Sequence, residues 1–289
     1  MQSVWMLLAS LLFAVMAACV KLGSPEVGSL SMVFWRGLFG VLIMGGWAMI
    51  CGRNLNTPYV LSHLKRSGLG TVALALWLFS VTVLPLPTGM TLNYTSPLFM
   101  AAFLTTGALV RGRLVEWGLV AATCVGFVGV VIVLQPEFQS GQEIAGFCGL
   151  LSGMLSALAY FQIRELTELH EPEWRVVFYF SVFNLVFGLV THGLFEPSDV
   201  YTMKSVSCIV GAGVSATLAQ ICMTKAFGSG NLLLSSILSF SGIVFATFIG
   251  LFIFGDPISL QSASGIVIII LAGVTASVMT KRRKTKSIS

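Results

Sequence analysis

The sequence predicts an all-α integral membrane protein of ten transmembrane helices, and three observations carry that expectation. Of 289 residues, 56% are hydrophobic and only 9% charged, whereas a soluble domain carries roughly 25% charged residues. The mean hydropathy of +0.93 is spread along the whole length, so no single core hides the apolar surplus and lipid must be the main solvent. The basic residues, finally, fall almost entirely into alternate connections between apolar runs.

Each element follows from length and punctuation. Spanning the hydrocarbon takes roughly 17–25 apolar residues, and a helix satisfies its own backbone groups. The runs that qualify are 3–20, 28–50, 68–85, 90–109, 117–134, 144–162, 175–194, 206–226, 232–253 and 260–280. Turn residues separate them at Gly23-Ser24-Pro25, Pro85-Leu86-Pro87, Gln135-Pro136, Glu196-Pro197-Ser198 and Gly255-Asp256-Pro257. Met16-Ala17-Ala18-Cys19 resembles a lipoprotein cleavage site, but no Lys or Arg precedes it, and a retained first helix is expected. The six cysteines form no CxxC pair and read as packing residues.

Orientation follows from Lys and Arg, which accumulate in cytoplasmic loops. Arg53, Lys65, Arg66, Arg111, Arg113, Arg164, Arg175 and Lys225 fall on one side together with Lys281, Arg282, Arg283, Lys284 and Lys286; Lys21 and Lys204 fall on the other, and Arg36 lies within a helix. Both termini are therefore expected in the cytoplasm of a bacterial-type cell, the protein lying in the inner membrane. The basic tail 281–289 reads as a topology anchor rather than a nucleic-acid site.

The two halves echo each other. Ser96-Pro97-Leu98-Phe99 leads to Arg111-Gly112-Arg113 and a helix with Gly126 and Gly129; Ser241-Gly242-Ile243-Val244-Phe245 leads to Phe254-Gly255-Asp256 and a helix with Gly265 and Gly273. Units of five helices, an odd number, enter the membrane in opposite senses, so the repeat is inverted.

These residues, with Leu11-Leu12-Phe13-Ala14-Val15-Met16-Ala17-Ala18 and Lys21, Phe34-Trp35-Arg36, Tyr94-Thr95, Val125-Gly126-Phe127-Val128-Gly129-Val130 and Lys225-Ala226-Phe227, resemble the drug/metabolite transporter superfamily, in particular proteins of two EamA-type five-helix repeats. The resemblance covers almost the whole chain, with repeats at 1–136 and 140–280. One departure is that the Gly-Glu usual before the last helix of each unit is here Gly112-Arg113 and Gly255-Asp256. The resemblance implies a secondary transporter working by alternating access, with a cavity between the first four helices of each half and the fifth and tenth helices outside it. It implies a small-molecule solute and the lipid bilayer as partners, a monomer or weak homodimer, and no cofactor.

Candidate site residues come from the cost of polarity in lipid. A charge there costs roughly 2.5–3.5 kcal/mol on the mild insertion scale, and Arg36 lies about 12 Å into its helix. Either it is satisfied within the bundle or it meets substrate, whose anionic group its planar fork would suit. Lys21 either supports it or anchors the interface. Trp35, Trp77, Tyr94, Tyr160 and Tyr179 are candidate aromatic walls, and Asn93, Asn184, Gln220, Ser236 and Ser239 candidate polar partners; packing is the alternative for each. All eleven acidic residues fall at helix ends or in loops, which argues against a carboxylate proton relay and for exchange or facilitation. Without paired histidines, an Asp pair or a phosphate-cradling loop, a membrane enzyme is disfavoured. A channel would want rings of charge or carbonyls, which are absent from the pattern.

Overall fold

The structure, a computed structural model, describes residues 2–23, 25–137, 140–195, 199–255 and 257–286. Among these residues there are twelve α-helices and no strand: α1 Trp5–Gly23, α2 Ser29–Ile50, α3 Val60–Val83, α4 Leu86–Asn93, α5 Ser96–Val110, α6 Trp117–Leu134, α7 Glu143–Glu168, α8 Glu173–Phe195, α9 Met203–Ser229, α10 Leu232–Ser239, α11 Ser241–Ile249 and α12 Leu260–Lys286. Eight helical stretches are long and apolar enough to cross a membrane. Large side chains such as Leu260 at 89%, Ile50 at 88% and Phe252 at 81% exposure stand on the outside, a surface that lipid accepts and water does not. The expected Ser24, Glu196-Pro197-Ser198 and Asp256 turn residues and the end of the tail lie outside the described residues.

Several helix edges differ from the sequence expectation, two of them with a visible cause. The third helix begins at Val60 rather than 68, because His63, Arg66 and Ser67 turn inward and are buried. The sixth runs on to Glu168 rather than 162, where Arg164 donates to the Gly228 and Gly230 carbonyls at 2.8 Å each.

Two segments are broken rods. Between α4 and α5 the chain turns at Tyr94 and Thr95, with tight backbone bonds from Thr95 to Leu92 and from Leu98 to Thr95. Pro97 thus sits in the first turn of α5, where its missing N–H costs nothing, rather than kinking a continuous helix. Between α10 and α11 the break falls at Phe240, again with three-residue bonds on either side. No proline marks it. The rod then closes with a π-helical turn, Gly250–Phe254. Gly112 and Gly255 end the two rods in left-handed conformation, φ 63° and 70°, each five positions before the next helix; a residue with a Cβ is strained there.

Helices pair with a regular pattern: α1 lies mainly on α9, α2 on α8, α3 on α7 and α6 on α12. Small residues let the backbones meet, as cohesion between helices in lipid rests on close packing. Gly37 abuts the Asn184–Leu185 backbone while Gly188 abuts Phe34. The connections gather at two ends. At one, Val200 donates to the Glu26 carbonyl at 2.9 Å and the Thr202 hydroxyl bonds to the Glu26 carboxylate. At the other, Arg175 binds Glu171 and the Asn54 carbonyl, and Thr57 donates to Glu171 at 2.6 Å.

Candidate functional site

A cavity of about 290 Å³ opens between the two halves of the bundle, at the small end of the range for small-molecule sites. Both broken rods reach it, through Tyr94 and Ser239. Where a helix is interrupted, backbone and side chains leave the regular cylinder, which the bilayer tolerates only where the chain faces protein or a cavity. The Tyr94 and Phe240 rings come within 6.3 Å of each other, so the two interruptions meet at the centre.

Aromatic rings form much of the wall. Tyr160 of α7 stacks on Phe227 of α9, centroids 4.2 Å apart and planes 11° from parallel; offset aromatic pairs of this kind fix the orientation of both rings. Phe180 of α8 lies beside two guanidinium groups, with Arg36 Cζ at 5.8 Å from its centroid and Arg66 Cζ at 4.3 Å, a favourable placement of cations over a ring. No Asp or Glu lines the cavity among the described residues. The Trp77 Nε1 and Gln220 Oε1 atoms are buried and lack hydrogen-bond partners, while Asn93 Nδ2 donates to Ser152 at 3.2 Å. The site therefore offers positive charge, donors and aromatic faces, and no negative side chain.

Of the residues singled out in the sequence, Arg36, Trp77, Tyr94, Tyr160, Gln220 and Ser239 line this cavity, as does Asn93. Four do not. Lys21 lies with its Nζ 3.9 Å from the Phe254 ring at the far end of α1. Trp35 packs edge-on against Tyr201, 6.0 Å between centroids, next to the cluster of Val27, Met32 and Ile209. Tyr179 donates to the Leu55 carbonyl at 3.2 Å and rests on His63. Asn184 is 1% exposed in the α2–α8 contact, its Oδ1 without a partner. Ser236 is buried and donates to the Leu233 carbonyl.

Arg66 is the residue that sequence reasoning missed. Counted among loop charges, it lies in the second turn of α3, is 2% exposed and faces the cavity. A signal was present: Gly70 follows one turn later, and a Cβ there would stand 2.5 Å from Arg66 Nη1 and 2.9 Å from the Phe180 ring. A second cavity, about 260 Å³, lies between the α5–α6 and α9–α10 connections. Its polar groups bond to protein: Arg164 to Glu168 and to backbone, Asn231 to Glu116.

Residues 2–135 match the EamA-like transporter family. The pseudopaline exporter CntI of Pseudomonas aeruginosa is 27% identical over 266 residues, covering 91% of each chain. A riboflavin transporter of Vibrio cholerae is 24% identical over 299 residues, covering 99% of this chain and 97% of its own. A solved crystal structure superposes with a TM-score of 0.85 at 17% identity, covering 96% of this chain and 98% of that one, a likeness of fold.

Proposed function

We propose, from the premise that this chain is of the EamA type, with that family's domain over residues 2–135, that it is a secondary carrier moving a small solute with an anionic group by alternating access. Matched family and named relatives make it a small-molecule membrane transporter and not an enzyme. The observation that carries the finer reading is Arg36, half-buried in the cavity wall with no acidic side chain lining the cavity among the described residues. Its fork is left to pair with a carboxylate or phosphate on the solute.

In this reading α3 and the broken rod α4–α5 span the membrane as well, making ten spans in two five-helix units over 1–136 and 140–280. The pairing of helices supports a two-fold relation between units. Exchanging α1 with α7, α2 with α8, α3 with α9 and α6 with α12 turns the α1–α9 contact into α7–α3 and maps α2–α8 and α6–α12 onto themselves. Five spans per unit make the relation an inverted one. Bacterial relatives and the basic tail support an inner-membrane location with both termini cytoplasmic. A monomer encloses the cavity by itself, which favours a monomer or weak homodimer.

The test is counterflow in proteoliposomes. Vesicles preloaded with an unlabelled anionic solute should take up the same labelled solute transiently, and Arg36→Ala should remove the effect. Uptake that only equilibrates, with no overshoot under any preloaded solute, would mark a pore instead.

A further inference from the structure

Building on that carrier reading, we propose that Arg66 is a second anion-binding residue beside Arg36, so that the cavity takes a small solute with two anionic groups a few carbon atoms apart, of the dicarboxylate class.

The argument begins with the setting of Arg66. It is 2% exposed, so its guanidinium does not reach the lipid surface. Its Nε is buried without a hydrogen-bond partner, and no ion pair holds it among the described residues. The carboxylate on the neighbouring connection, Glu171, is bound to Arg175 at 3.0 Å and to Thr57 at 2.6 Å, and lies 3.4 Å from His63. A buried cation without an anionic protein partner is costly, and in a transporter it points to the solute path.

Geometry then points to the class of ligand. Arg36 and Arg66 come from different helices but share the Phe180 ring, at 5.8 Å and 4.3 Å. Their Cζ atoms are therefore no farther apart than the sum of those distances, about 10 Å. Two forks that close answer two anionic groups on one small molecule. The buried Trp77 N–H, also unpartnered and in the same wall, adds a third unused donor. Gly70 completes the arrangement, since the space its missing Cβ leaves is taken by Arg66 Nη1.

The test uses the full chain in detergent, with the α,ω-dicarboxylates of four to seven carbons as probes beside their half-amides and diamides. Binding is read as a concentration-dependent shift in melting temperature. A diacid should bind ten- to hundredfold more tightly than its half-amide, as loss of one charge-assisted pair implies. Arg66→Gln should collapse that preference, and Arg66→Lys, which keeps charge without the fork, should recover part of it. Gly70→Ala retains both arginines and should also reduce the preference, so the idea stays testable if Arg66→Gln does not fold. Equal binding of diacid and half-amide, no binding of any diacid, or an undiminished preference in folded Arg66→Gln overturns the proposal. Diacid binding with no counterflow in vesicles would sink the carrier reading alone, while half-amide counterflow at the diacid's rate would sink the two-anion site alone.

Discussion

A Cβ placed on Gly129 would stand 2.8 Å from the carbonyl oxygen of Gly265, and one placed on Gly265 would stand 2.8 Å from the carbonyl oxygen of Gly129. Backbone as well as side chain meets each substitution, so a rotamer change alone does not relieve it. Gly129→Leu and Gly265→Leu should each destabilise the α6–α12 pair by about 1–3 kcal/mol, read as a lower melting temperature in detergent. Gly46, with nothing within 4 Å of a Cβ, is the control: Gly46→Ala should be neutral or stabilising by up to about 1 kcal/mol. Equal effects at all three sites would mean that the contact contributes nothing.

At Arg36, a bidentate role predicts that lysine fails nearly as badly as alanine, because charge survives and the fork does not. Arg36→Lys and Arg36→Ala should both lower transport per folded molecule by roughly tenfold or more. Normal affinity and turnover in well-folded Arg36→Ala would remove the anionic group from the proposed solute.

Coupling follows from what the cavity lacks. With no Asp or Glu lining it among the described residues, an imposed pH step across vesicles without a solute gradient should drive no accumulation. Uphill uptake that tracks the step and disappears with a protonophore would contradict this.

Orientation is tested by reporter fusions after Ser289 and between α8 and α9. The first should report cytoplasm and the second the outer side, since thirteen of the sixteen basic residues fall on one side and only Lys21 and Lys204 on the other. The opposite result would invert the proposed topology.

The connection between α7 and α8 carries a pH dependence. Burial pushes the Glu171 carboxyl up, but the Thr57 hydroxyl, the Arg175 guanidinium and His63 outweigh it and hold the group below its ordinary value. The unfolded chain gives Glu171 its ordinary value, near 4.3. Its contribution is therefore complete above that pH and is lost as pH falls through the lower folded value. Melting temperature should be flat around neutrality and fall on acidification below about 4. In Glu171→Gln the acid-side fall should be shallower, from a starting point lower by about 1–3 kcal/mol. An identical acid profile in that variant would exclude the clasp.

Apolar run length and turn residues made most helices legible, because in lipid a helix must be continuous and apolar over a fixed thickness. Val60–Ser67 was not legible as helix, since His63, Lys65 and Arg66 interrupt the apolar run. The break at Phe240 has no proline and reads as uninterrupted helix. Facing is the harder quantity: a helix apolar on all sides carries little contrast between its lipid and cavity faces. Trp35 and Arg36 are adjacent in sequence, yet only the second reaches the cavity. Tyr160 and Tyr179 look equivalent on paper, and one stacks in the wall while the other holds a connection.

Because both guanidinium groups lie against the one Phe180 ring, the three side chains form one thermodynamic unit. Removing either arginine frees the ring for the other, and Phe180→Leu withdraws a partner from both at once. The energies of single substitutions at 36, 66 and 180 will not sum to that of the triple variant. The worth of any one of them is therefore defined only with the other two specified, and a double-mutant cycle through the ring measures how tightly the two charges are joined.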